Sequence, residues 1–234
     1  MSDPDVDAVV LAAGSSRRMG EQDKMLALLE GTPLIVWSVS AFERSPSVRR
    51  IVVTVSPQNA ARVAAALGDA GVTKLAAVIP GGSSRAHSVL AALEMLESDG
   101  APYVAIHDGA RPFLSEDLVE VGVAMAREAG AAVPAVPSPD TAKLVCEVGL
   151  VVETPMRDRV WLAQTPQIAR LSELLASYRS HCDRLQDFTD DASLLEDDGI
   201  AVRVFKSTPD NFKITEPADL ERAQILAAKR SDPG

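Results

Sequence analysis

Short apolar runs alternate along the chain with longer segments in which apolar residues recur every three or four positions. The runs Asp7–Ala13, Arg50–Ser56, Lys74–Pro80, Tyr103–His107, Ala131–Pro137 and Ile200–Phe205 are apolar or β-branched and bounded by Gly, Pro or polar residues, so each is expected to be a strand. Helical spacing covers Pro33–Glu43, Pro57–Leu67, Arg85–Leu96, Ser115–Glu128 and Glu216–Ala228. Pro33, Pro57 and Pro217 fit first-turn positions, where a missing N–H costs nothing. Strands separated by helices predict an α/β protein: a mostly parallel, twisted sheet with crossover helices.

The rhythm breaks between Ser138 and Arg159, where Pro139, Gly149 and Pro155 flank and interrupt the run Lys143-Leu-Val-Cys-Glu-Val-Gly-Leu-Val-Val-Glu153. This stretch has the look of a hairpin, and it is expected to protrude as an arm from a single domain spanning 1–234. Its valines and leucines need cover, which marks a partner surface. The alternative is an edge hairpin folded back on its own domain.

Composition narrows the class. Of 234 residues, 23 are Lys or Arg and 33 are Asp or Glu, a net charge of -10, which argues against broad binding to nucleic acid or to an anionic membrane. A small anionic substrate remains compatible with that charge. Nowhere do about 18 apolar residues run together, so no membrane span is expected. Cys146 and Cys182 lack metal-ligand spacing, and Met1–Asp7 has no basic, apolar leader; the expected location is the reducing cytoplasm.

Candidate chemistry sits where strands end. After the first strand, Leu11-Ala-Ala-Gly-Ser-Ser-Arg-Arg-Met-Gly20 and then Lys24 combine a Gly/Ser loop with Arg17, Arg18 and Lys24, suited to phosphate oxygens. It is neither a dinucleotide fingerprint, because Ser16 stands where the second glycine belongs, nor a Walker loop, because no Gly-Lys-Ser/Thr follows. Gly81-Gly-Ser-Ser-Arg-Ala-His-Ser88 opens a helix whose amides favour an anion or a polar base edge, with Ser83 or Ser84 as a possible N-cap. His107-Asp-Gly-Ala-Arg-Pro112 offers Asp108 and Arg111, either for a ligand or metal or as an ion pair locking a turn. Gln164-Thr-Pro-Gln167, Thr189-Asp-Asp191 and Asn211-Phe-Lys213 complete the set, and all could meet in one crevice at the carboxyl edge of the sheet. No Gly-x-Ser-x-Gly elbow or His-Glu-x-x-His pair is present, so the histidines do not make a hydrolase.

Taken in order, Ala12-Ala-Gly-x-x-x-Arg-Met19, Lys24, Gly81-Gly-x-x-Arg85 with Ser88, His107-Asp-Gly-Ala-Arg-Pro112, Thr165-Pro-Gln167, Thr189-Asp190 and Asn211-x-Lys-Ile-Thr215 resemble the 2-C-methyl-D-erythritol 4-phosphate cytidylyltransferases of isoprenoid biosynthesis, over nearly the whole chain. Ser16, Asp23 and His87 depart from the family's usual residues. The resemblance implies a Rossmann-like nucleotidyltransferase fold and a homodimer whose arms, residues 138–159, are exchanged. It also implies CTP and a polyol phosphate as substrates, with Mg2+ held mainly through the CTP phosphates and no dedicated protein ligand. By the same resemblance Ala12, Ala13, Gly14, Ser15, Gly82, Ser83, Arg85 and Ser88 face the nucleotide, and Arg18 and Lys24 face its triphosphate. Asp108, Arg111, Thr165, Thr189 and Lys213 surround the sugar phosphate, while Thr141 and Arg157, or Arg159 in its place, come from the partner's arm. The phosphate of the acceptor would attack the α-phosphorus of CTP, with Arg18, Lys24, Arg157 and Lys213 as the catalytic cations; such a nucleophile is already anionic and needs no base. Ribitol 5-phosphate as acceptor, and a nucleotide-binding regulatory module without turnover, are the alternative readings.

Overall fold

The computed structural model describes residues 4–14 and 24–231. Its elements are, in chain order, β1 (Val6–Ala12), β2 (Leu28–Leu29), β3 (Thr32–Pro33), α1 (Leu34–Arg44), β4 (Val48–Val55), α2 (Ala60–Asp69), β5 (Leu75–Pro80), α3 (Arg85–Leu96), β6 (Tyr103–Asp108) and α4 (Glu116–Ala129). They continue with β7 (Ala131–Pro137), β8 (Leu144–Val145), β9 (Val151–Glu153), β10 (Trp161–Ala163), β11 (Gln167–Arg170), α5 (Leu171–Ser180), α6 (Asp191–Asp197), β12 (Val202–Lys206) and α7 (Pro217–Ser231). All six expected strands and all five expected helices are present to within a few residues. Pro217 opens α7, whereas Pro33 occupies the cap position before α1 and Pro57 opens a 3-10 turn ahead of α2.

The central sheet runs β10-β7-β11-β6-β1-β4-β5, with β12 on β7. β1 pairs in parallel with β4 and β6, β4 with β5, and β7 with β12. The sequence pattern did not foresee β11 and β10, which run antiparallel to β7, β11 also to β6. Ala131 and Ala132 pair with β11 and β12 at once, and Ala135 with β10 and β12, so β10 and β11 lie end to end along one side of β7. Gln164, Thr165 and Pro166 bridge the gap between them, with a cis peptide bond at Thr165–Pro166.

Successive strand residues point to opposite faces, so helices are needed on both. Ala8, Val10 and Ala12 of β1 pack with Leu34, Val39 and Phe42 of α1, Val119 and Val123 of α4, and Ala223 and Ala227 of α7. Val9, on the other face, joins Val104 and Ile106 of β6 against Val89 and Leu93 of α3, Leu174 of α5 and Leu194 of α6. Helix starts are closed by side chains: Ser84 accepts from the His87 N–H at 3.3 Å and Ser115 from the Leu118 N–H at 3.3 Å. At α6, Asp190 and Ser193 form a reciprocal capping box. β8 and β9 form their own two-stranded sheet, on which Leu144, Val145, Leu150, Val151 and Val152 are all more than half exposed. No helix among the described residues is long and apolar enough to cross a membrane.

Candidate functional site

From β1 the chain steps outward through β4 to β5 and then returns to β6 on the other side of β1. A reversal of this kind leaves a crevice at the carboxyl ends of the strands. Here it is a cavity of about 600 Å³. Ala12, Ala13 and Gly14 leave β1 along one wall, and Gly82, Ser83, Arg85 and Ser88 lead into α3 along another. Asp108, Lys24 and Lys213 complete it. Ten of the expected site residues are thereby brought together. Ser15 and Arg18 lie outside the described residues.

The two glycine loops are fitted to each other. A Cβ on Gly81 would lie 2.2 Å from the Ala13 Cβ, and one on Gly82 would lie 2.4 Å from the His87 Cβ, so neither position has room for a side chain. The Gly81 amide donates to the Val55 carbonyl at 2.8 Å and the Gly82 amide to Ser88 Oγ at 3.0 Å. These two N–H groups are therefore taken up by the shape of the loop, ahead of the helix N-terminus that begins at Arg85. Ser88 Oγ donates in turn to the Ser84 carbonyl at 2.9 Å and ties the loop to α3.

Opposite the loops, Asp108 gathers three cations. Its Oδ2 lies 3.1 Å from Lys213 Nζ and 3.4 Å from Arg111 Nε, and its Oδ1 lies 3.5 Å from Arg85 Nε. Burial alone would push the Asp108 carboxyl up, but Lys213, Arg85 and Arg111 outweigh it and hold the group far below the usual carboxylate range. The expected Asp108–Arg111 ion pair is thus one of three. Arg111 is turned away from the cavity, its Nη1 donating to the Asn211 carbonyl at 2.8 Å, and burial lowers its pKa. The Lys24 ammonium donates to the Ile214 carbonyl at 2.7 Å, which ties it to the segment that carries Lys213, and both lysines line the cavity.

Beneath Asp108 runs a chain of neutral hydrogen bonds. The Asp108 amide donates to Thr165 Oγ1 at 3.0 Å, Thr165 Oγ1 lies 3.0 Å from His107 Nδ1, and His107 Nε2 lies 3.1 Å from the Arg111 carbonyl. A carbonyl only accepts, so Nε2 carries the proton and Nδ1 receives the threonine hydroxyl. Burial drives the His107 pKa down to about 4, which keeps the ring neutral. Thr165 is buried and does not line the cavity, and its hydroxyl already serves both neighbours. Asn211 Nδ2 donates to Gln164 Oε1 at 3.0 Å and to the Thr165 carbonyl at 2.9 Å, anchoring the segment that carries Lys213.

Thr189 lines a smaller recess of about 140 Å³ that shares Ser84 and Arg85 with the main cavity. Thr141 and Arg157, in the stretch expected to form the arm, are exposed and do not line the cavity of their own chain. Sequence reasoning also missed the role of Gln167, whose Nε2 donates to Asp190 Oδ2 at 2.7 Å and whose Oε1 accepts from the Ala192 amide at 2.8 Å. Among the described residues no group of three or more His, Cys, Asp or Glu side chains is placed to hold a metal.

Comparison with known proteins points one way. The family model described as 2-C-methyl-D-erythritol 4-phosphate cytidylyltransferase matches residues 6–229. The enzyme of that name from Dehalococcoides mccartyi strain CBDB1 is 39% identical over 225 residues, covering 96% of both chains. The one from Synechococcus sp. strain CC9902 is 40% identical over 227 residues, covering 96% of this chain and 99% of that one. Among solved structures, 4-diphosphocytidyl-2C-methyl-D-erythritol synthase from Anaerococcus prevotii superposes with a TM-score of 0.85 at 26% identity, over 95% of this chain and 96% of that one. The Francisella tularensis cytidylyltransferase gives 0.77 at 29% identity, over 96% and 99%. With end-to-end similarity of sequence, a shared fold and the cation-lined crevice in agreement, the chain belongs to the 2-C-methyl-D-erythritol 4-phosphate cytidylyltransferase family.

Proposed function

We propose that this chain joins CTP, as its magnesium complex, to 2-C-methyl-D-erythritol 4-phosphate, giving 4-diphosphocytidyl-2-C-methyl-D-erythritol and pyrophosphate. The observation that carries this reading is the convergence of Lys24, Lys213 and Arg85 on one cavity in a family member whose net charge is -10. Two polyanions must approach each other there, and preorganised cations are what lowers that barrier. An oxygen of the acceptor phosphate attacks the α-phosphorus in line. A new P–O bond forms, the bond from the α-phosphorus to the bridging oxygen breaks, and pyrophosphate leaves with the electron pair.

No side chain has to remove a proton, because the attacking phosphate is already anionic near neutral pH. His107 suits that economy, being neutral, buried and engaged at both ring nitrogens. Lys24 and Arg18 take the charge that grows on the α-phosphate and the leaving group, while Lys213, with Arg157 from a partner's arm, fixes the attacking phosphate. Ala12, Ala13, Gly14, Ser15, Gly82, Ser83, Arg85 and Ser88 form the nucleotide side, and Asp108, Thr189 and the partner's Thr141 the acceptor side; Arg111 and Thr165, expected there too, instead support Asp108 from outside the cavity. Both oxygens of Asp108 are already engaged by cations, so no protein ligand is assigned to magnesium, which would be held through the triphosphate and would offset part of its charge. The exposed apolar residues of β8 and β9 are assigned to a homodimer in which each arm reaches the neighbouring cavity. Cys146 and Cys182, both free and exposed, fit a reducing cytoplasm.

The test is product identification by mass spectrometry after incubation with magnesium, each of the four nucleoside triphosphates, and either 2-C-methyl-D-erythritol 4-phosphate or ribitol 5-phosphate. The expected product is the cytidine diphosphate derivative of the methylerythritol, with pyrophosphate in equal amount. Preference for ribitol 5-phosphate would overturn the acceptor. CTP binding without pyrophosphate release would overturn the reaction and favour a regulatory module.

A further inference from the structure

Tyr178 on α5 and Asp191 at the start of α6 form a pair that the reaction above does not use. Asp191 is 1% exposed and Tyr178 2%. The two oxygens of Asp191 serve different partners. Its Oδ1 accepts from the Tyr178 hydroxyl at 2.5 Å, and its Oδ2 accepts from Arg85 Nη2 at 2.7 Å. A carboxylate buried this deeply is costly unless its oxygens are bonded, and here one of those bonds reaches the wall of the cavity. Gln167 fixes the turn that carries it by bonding Asp190 Oδ2 and the Ala192 amide, so Asp191 is held in one place.

The far side of Arg85 gives this pair its consequence. Arg85 Nε lies 3.5 Å from Asp108 Oδ1, which leaves Asp108 Oδ2 for Lys213 at 3.1 Å and Arg111 at 3.4 Å. A guanidinium matches a carboxylate best by bonding both oxygens with two nitrogens. Released from Asp191, Arg85 would turn fully onto Asp108 and compete with Lys213 for Oδ2. We propose that Asp191, locked by Tyr178, is a positioning residue: it holds one end of the Arg85 guanidinium away from Asp108 and so keeps Lys213 aimed at the acceptor phosphate. This inference rests on the reaction assigned above.

The experiment compares steady-state kinetics and denaturant unfolding of the parent enzyme, Asp191→Asn, Tyr178→Phe, Arg85→Gln and the double variant Asp191→Asn/Arg85→Gln. A parent that forms no cytidine diphosphate alcohol overturns the reaction assignment, and that outcome is seen before any variant is compared. With an active parent, Asp191→Asn is expected to raise the KM for the polyol phosphate about tenfold, and Tyr178→Phe to raise it a few-fold. In the Arg85→Gln background, Asp191→Asn is expected to add less than about twofold, because its target is already gone. A purely structural role would instead reduce kcat through loss of active molecules, leave KM unchanged and add fully to Arg85→Gln. Unchanged KM, or full additivity, overturns the proposal. Should Asp191→Asn prove too unstable to purify, Tyr178→Phe with and without Arg85→Gln makes the same comparison, since it removes only one hydroxyl.

Discussion

A neutral imidazole buried beneath the Asp108 ion pairs sets how this protein responds to acid. In the folded chain His107 has a pKa of about 4, against 6.5 for an ordinary histidine, because burial disfavours its charged form. The unfolded chain therefore takes up a proton that the folded chain refuses as pH falls from 6.5 to 4. The associated stability is complete above pH 6.5 and lost through that window, and it amounts to roughly 3 kcal/mol at 1.36 kcal/mol per pKa unit. Denaturant unfolding of the parent and of His107→Gln between pH 7 and 4 checks this, with the variant expected to show the flatter dependence. At the cavity, Lys24→Ala is expected to reduce pyrophosphate release by about 10²- to 10³-fold, the usual cost of losing one preorganised charge donor. Turnover near the parent's value would remove Lys24 from the mechanism. Asp108, Lys24 and Lys213 are legible in the sequence because each belongs to a polar run that follows an apolar strand, on the side where an open α/β sheet binds its ligands. Gln167 and Asp191 are legible only as members of candidate runs and Tyr178 not at all, since what each does depends on its partner in the fold, and only folding brings Asp191 to Arg85 across more than one hundred positions.

Among the elements, the loop from β5 into α3 makes the sharpest demand on residue size. Gly81→Ala would place a methyl group 2.2 Å from the Ala13 Cβ and 2.9 Å from Ser88 Oγ. Either β1 or the loop must move, with an expected loss of about 1–3 kcal/mol in unfolding free energy. Because Ala13 and Ser88 both line the cavity, the KM for CTP should also rise; an unchanged KM would separate the loop from nucleotide binding. In the proposed dimer the β8–β9 hairpin makes the opposite demand, needing a neighbour rather than space. Val145→Asp together with Val151→Asp replaces two exposed apolar side chains, so it should leave the fold intact while converting a dimer to monomers in sedimentation velocity. Periodicity exposed the strands and helices that recur with the α/β rhythm, and the break in that rhythm exposed the β8–β9 hairpin. It failed for β10 and β11, three and four residues long, because so short a run carries too few alternations to register. α5 and α6 escaped for a related reason: they follow the antiparallel excursion and interrupt the expected order of strand, helix, strand.

For the molecule as a whole, net charge conceals the site. A chain of charge -10 nonetheless concentrates Lys24, Lys213 and Arg85 at one crevice and balances Lys213 and Arg85 with Asp108. Arm exchange gives the proposed dimer a distinctive signature. Lys24→Ala carries an intact arm, and Arg157→Gln carries an intact cavity. Mixing the two inactive proteins under conditions that allow subunit exchange should create one sound site in each mixed dimer, restoring roughly a quarter of parental activity at equal proportions. No recovery would mean that each chain completes its own cavity. The bridge between β10 and β11 has a last consequence. Gln164, Thr165 and Pro166 span a fixed gap on one side of β7, and Thr165 meets Asp108 only because that gap has its present length. Deleting one residue there would invert which face of the sheet Ile168 and its neighbours occupy and would pull the threonine out of reach. At this point in the chain, the count of residues matters as well as their identity.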